Sequence, residues 1–85
     1  MAKSYHRNDS YESSHGCSPR GYGVWAFTVT VEVDGRFTDL ADEDHPHFES
    51  GNFGVAKRAT QQWARRTVSA EIGGKLLSVV TETLG

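Results

Sequence analysis

From Val24 to Val33 the pattern alternates, with Trp25, Phe27, Val29, Val31 and Val33 on one face and Ala26, Thr28, Thr30 and Glu32 on the other. A period of two is the mark of a half-buried strand. Asp34-Gly35 follows at once, a dipeptide that supplies the positive φ angles of a tight hairpin, so Arg36 to Leu40 reads as the return strand. Its register stays open: a two-residue loop sets Phe37 opposite Glu32 and Leu40 opposite Val29, whereas a three-residue loop pairs Phe37 with Val33. Ala41 to Gly51 is polar and acidic with Pro46 inside it, and reads as a loop or irregular edge.

From Asn52 the period lengthens to that of a helix. Ala56, Ala59, Thr60, Trp63, Thr67 and Ala70 gather on one side and Arg58, Gln61 and Arg65 on the other, with Asn52 or Ser50 as cap. Trp63 then reads as the main knob against the sheet. Gly73-Gly74 can stop the helix near Ile72, and Leu76, Leu77, Val79 and Val80 mark a last strand within Lys75 to Leu84. The order is strand, strand, helix, strand (β-β-α-β): an α+β domain in which one helix packs on one face of a small, mainly antiparallel sheet.

The first residues look different. Every Ile, Leu, Val and Phe lies at or beyond Val24. Residues 1–21 are rich in Ser, His, Asn, Gly and Arg, a composition too polar to offset the entropy of ordering, so they read as a flexible arm before a single domain at 22–85. Tyr5, Arg7, Tyr11 and Arg20 give that arm contact residues for a partner. A folded unit this short is near the lower limit for a self-sufficient core, and dimerisation would help it.

Composition narrows the function classes. The chain has 85 residues, 36% of them hydrophobic, and a formal net charge of -2, which excludes collagenous, coiled-coil and wholly disordered classes. The single cysteine, Cys17, forms no internal disulfide, and no apolar run suits a signal peptide or a membrane span, so a cytoplasmic protein is expected. No cofactor motif is present: Gly21-Tyr22-Gly23 and Gly73-Gly74 do not have phosphate-loop spacing. No two carboxylates share an apolar setting for acid-base work, and Cys17 has no evident group to orient His15 beside it, so no catalysis is expected. His45 and His47 stand among Asp42, Glu43, Asp44 and Glu49, a set of metal-binding types, but all on one short loop; a solvated loop is expected, with no metal.

Charge is unevenly spread. Asp34, Asp39, Asp42, Glu43, Asp44 and Glu49 face only Arg36 in the hairpin and loop, whereas the helix carries Lys57, Arg58, Arg65 and Arg66. The acidic run can compete for the basic residues of a nucleic-acid-handling protein, which makes Asp39, Asp42, Glu43, Asp44 and Glu49 candidate protein-binding residues. The alternative is a small DNA- or RNA-binding regulator whose Lys57, Arg58, Arg65 and Arg66 contact phosphates, weakly because the charges are few.

From about 24 to 66, with Trp25 opening a strand, Asp34-Gly35 turning it and a later helix carrying Ala59 and Trp63, the chain is similar to the arm-binding domains of phage integrases. That similarity implies a three-stranded sheet with a helix that binds DNA. Those domains place all three strands before the helix and are basic on the sheet, whereas here the second strand and loop are acidic and a strand-like segment follows the helix. In size, α+β layering, lack of catalytic residues and concentrated acid from Asp34 to Glu49, the chain also resembles small phage inhibitors of the anti-CRISPR type. That resemblance implies a steric inhibitor covering a nucleic-acid-binding or subunit-docking surface of a larger host-defence complex.

Overall fold

The computed structural model describes residues 2–85. Strand β1 (Lys3–Arg7) and helix α1 (Asp9–His15) precede the long strand β2 (Tyr22–Val33), which turns into β3 (Arg36–Ala41). Strand β4 (His47–Asn52) leads into helix α2 (Phe53–Thr67), a π-helical turn (Val68–Ile72) and the last strand β5 (Leu76–Thr83). The α+β class is as expected: a mostly antiparallel five-stranded sheet with α2 packed on one face.

β2 organises the sheet because its alternation buries one side completely. Trp25, Phe27, Val29, Val31 and Val33 are all buried, and across the β2–β5 ladder Phe27, Val29 and Val31 face Thr83, Thr81 and Val79. β2 is long enough to carry two strands in succession along its other edge, β3 beside Val29–Val33 and β4 beside Tyr22–Phe27. The hairpin has the two-residue turn. Asp34 and Gly35 take φ of 54° and 82°, and Phe37 sits opposite Glu32. A register shift between Val29 and Thr30 then brings Ala41, not Leu40, opposite Val29.

Three expectations are corrected. Residues 1–21 are not a free arm: Met1 lies outside the described residues, but β1 runs parallel to β5 as an edge strand, and α1 follows it. Main-chain pairing needs no Ile, Leu, Val or Phe, and the two side chains that anchor this region are a histidine and a tyrosine. The His6 ring packs edge-on against Phe27 and Phe53, and Tyr11 lies 5.7 Å from Trp25 between ring centres. The acidic loop is shorter than expected, since 47–52 pairs with β2 as a strand. Its pairing is held partly by glycine: Gly51 stands opposite Gly23 at φ 126°, and its carbonyl accepts from the Trp25 indole N–H at 3.1 Å.

The helix face is also rotated from the expected one. Asn52 caps α2, its side chain accepting from the Gly54 N–H at 3.0 Å. The row against the sheet is Ala56, Thr60, Ala64 and Val68, all buried, rather than one centred on Trp63. These residues recur every fourth position and are small, so the helix axis comes close to the sheet and larger side chains are left at the flanks. Trp63 is half-buried there, stacked on His47 with ring centres 4.0 Å apart, and Ala70 is exposed.

His6 sits where β1 meets the core. Its Nδ1 and Nε2 lie 2.7 and 3.1 Å from the hydroxyls of Thr81 and Thr83. Burial, then the charge of Lys57, outweighs the opposing pull of Glu82 and lowers its pKa to about 4. Between pH 6.5 and about 4 the unfolded chain therefore takes up a proton that the folded ring refuses, so stability falls as pH drops through that window. The loss attributable to His6 is expected at about 1–2 kcal/mol after allowing for solvent screening of a half-buried ring. Urea unfolding at pH 7 and pH 4.5 checks this: His6→Gln should show a smaller pH dependence than the parent, and an equal one would contradict the assignment.

Candidate functional site

Among the described residues no layer covers the face of the sheet turned away from α2. By strand alternation it presents Tyr22, Val24 and Ala26 of β2, Phe48 of β4, Phe37 and Asp39 of β3, and Tyr5 of β1. Five of these are large and exposed: Tyr22 at 85%, Val24 at 72%, Phe37 at 69%, Phe48 at 61% and Tyr5 at 50%. Most of the large apolar side chains that the fold leaves in solvent thus share one surface, the only other exposed ones among the described residues being Val55, Ile72 and Leu77.

The acidic candidates divide around this face. Asp39 lies on it, accepting a hydrogen bond from the Thr30 hydroxyl at 2.8 Å, with Glu32 in the same alternation. Glu43 and Asp44 are exposed on the adjoining β3–β4 loop. Asp42 is used by that loop, its carboxylate accepting from the N–H groups of Asp44 at 3.0 Å and His45 at 2.7 Å, an Asx turn that shapes the corner. Glu49 points to the other side of the sheet, where its carboxylate lies 2.7 Å from His47 Nε2, under the Trp63 stack. His45 and His47 are thereby separated, one on the solvent side of the loop and one against α2. Among the described residues no three His, Cys, Asp or Glu side chains gather as a metal set, and Cys17 is exposed.

The basic candidates lie on the opposite side of the molecule. Arg58, Arg65 and Arg66 are exposed along α2, while Lys57 is half-buried and close enough to His6 to depress its pKa. On the open sheet face the cation Arg7 is already engaged, 3.0 Å from Asp9 and 3.7 Å from Glu82. Two clefts of about 440 Å³ open elsewhere. The one beside the hairpin contains Asp34, whose carboxylate accepts from the Lys75 N–H at 2.9 Å and so ties the turn to β5.

The sequence reading missed the apolar part of this surface. Phe37 was visible as one of two register choices, and Phe48 was hidden because the polar run around it does not alternate. The outward positions of β2 were legible as a face, but Val24 and Ala26 on it are apolar like their buried neighbours and Tyr22 precedes the alternation, so the residues carry no sign that this face stays uncovered.

No protein-family model matches this sequence, and comparisons with curated proteins and with solved structures find no similar chain. No helix among the described residues is long and apolar enough to cross a membrane.

Proposed function

We propose that this chain is a non-enzymatic binding module that docks on a protein partner through the open face of its sheet. The observation carrying this reading is that five of the eight large exposed apolar side chains, Val24, Phe37, Phe48, Tyr5 and Tyr22, lie on one uncovered sheet face, with Tyr22, Val24 and Phe48 gathered where β4 pairs with β2 and Phe37 about 20 Å away at the hairpin end. Asp39 and the β3–β4 loop with Glu43 and Asp44 lie between Phe37 and Phe48 along this edge, so the complementary partner offers apolar contacts on either side of a basic one. Proteins that handle nucleic acid carry such basic grooves. Occupying one would block it sterically, an inhibitory action consistent with the resemblance to small phage inhibitors.

The test begins with capture of partners from a host lysate and continues with direct binding of the purified partner. Phe37→Ser with Phe48→Ser is expected to weaken binding at least about 30-fold, the loss typical of removing two aromatic anchors. Asp39→Lys with Glu43→Lys and Asp44→Lys should slow association and reduce its salt dependence. Both sets should leave urea unfolding within about 0.5 kcal/mol of the parent, because the side chains are exposed. Failure to retain any partner, or undiminished binding by both sets, would overturn the proposal.

A further inference from the structure

We infer that the solvent side of α2 is a second binding surface, one that takes the phosphate backbone of duplex DNA. It goes beyond the protein docking proposed above and lies on the other side of the molecule, since α2 covers the inner face of the sheet and the docking surface is the outer one. At about 100° per residue Arg58, Gln62, Arg65 and Arg66 fall within roughly 100° of one another, in a stripe opposite the buried row of Ala56, Thr60 and Ala64. The arginines of this stripe are exposed, and none lies within ion-pairing distance of a carboxylate among the described residues.

No local acid offsets them. From Phe53 to Ala70 the chain has neither Asp nor Glu, and the first acid after the helix is Glu71. The cations are thus free to meet external anions, and the acids of the outer sheet face and the β3–β4 loop discourage a polyanion from settling there. Lys57 lies off this stripe, about 80° from its nearest member around the helix, and is half-buried.

Spacing and rigidity favour a duplex over a flexible strand. Arg58 and Arg65 are seven residues apart, a rise of about 10 Å along one rigid helix, so both charges are held at a fixed separation that the regularly spaced phosphates of a duplex can meet. Arg65 is further positioned by donating a hydrogen bond to the Ser4 hydroxyl of β1. Gln62 lies between the arginines and adds polar groups that can reach phosphate oxygens or base edges. Neutralising three phosphates releases their counterions, so affinity should fall about 40-fold between 50 and 200 mM salt.

The experiment uses the full chain with a fluorescently labelled 20-base-pair DNA duplex and, in parallel, a single-stranded RNA of equal length. Saturable duplex binding at 50 mM salt, tighter than RNA binding and with the stated salt loss, is the expected result. Arg58→Gln with Arg66→Gln leaves the Arg65–Ser4 contact in place, and should reduce the salt loss to about 3- to 4-fold, the effect of one remaining phosphate contact. Absence of duplex binding at 50 mM salt, preference for the RNA, or a salt dependence unchanged in the double variant would each overturn the inference. Because these arginines are remote from the sheet face, that failure would leave Phe37 and Phe48 docking to be judged by its own variants.

Discussion

Phe27→Ala is expected to remove most of the protein's stability. Phe27 is completely buried at the middle of β2, with Thr83 of β5 on one side and His47 of β4 on the other. Its ring stacks loosely on Phe53 at 6.3 Å and meets the edge of His6 at 6.2 Å, so it joins the sheet, the start of α2 and the N-terminal strand. Deleting a buried phenylalanine costs about 3–5 kcal/mol, the lost transfer energy plus the cavity. A domain of this length has only about 4–13 kcal/mol in total. Urea unfolding followed by tryptophan fluorescence should show a midpoint shifted to low denaturant, or a chain largely unfolded without it. A loss below about 1 kcal/mol would mean that Phe27 is not the junction described.

The second large effect comes from adding atoms. Ala64→Leu places a longer apolar side chain at a fully buried position in the small row of α2, where the helix comes close to the sheet. Despite the added hydrophobic surface, the variant is expected to lose about 1–3 kcal/mol, because the helix must move out or the side chain must leave its favoured rotamers. Trp63→Ala provides the contrast. Trp63 is half-buried and stacks on His47 at the flank, so its truncation should cost less than the Phe27 substitution even though tryptophan is the larger residue. Parallel urea titrations rank the three. If Trp63→Ala were the most damaging, or if Ala64→Leu were stabilising, the helix would be seated on the sheet differently.

The comparison of Trp63 with Ala64 shows why helix orientation was only partly legible. A search for the apolar side of 53–70 is weighted by the largest residue, and Trp63 draws the axis toward itself. The real contact is governed by close approach, for which alanine and threonine are better suited than tryptophan. Thr60 can join that row because its hydroxyl is satisfied within the helix, donating to the Ala56 carbonyl at 2.9 Å. His47 and Glu49 follow the same logic: as part of an acidic run they suggested solvent, but β4 pairing turns them toward α2, where they bond to each other at 2.7 Å.

The division between sequence and structure follows the range of the forces involved. Alternation through Trp25 to Val33, the positive φ angles needed at Asp34-Gly35, the Asn52 cap and the helix stop at Gly73-Gly74 are local requirements, each written in the residues that meet it. Sequence alone therefore determined the α+β class, the central strand, the hairpin and the position of the long helix. Tertiary structure decided that Lys3–Arg7 pairs with β5, that His47–Asn52 is a strand and that Phe37 and Phe48 share an open face with Val24. Those outcomes rest on main-chain hydrogen bonds offered by an already formed strand edge. Such bonds accept almost any side chain, and so leave no pattern in the sequence to announce them.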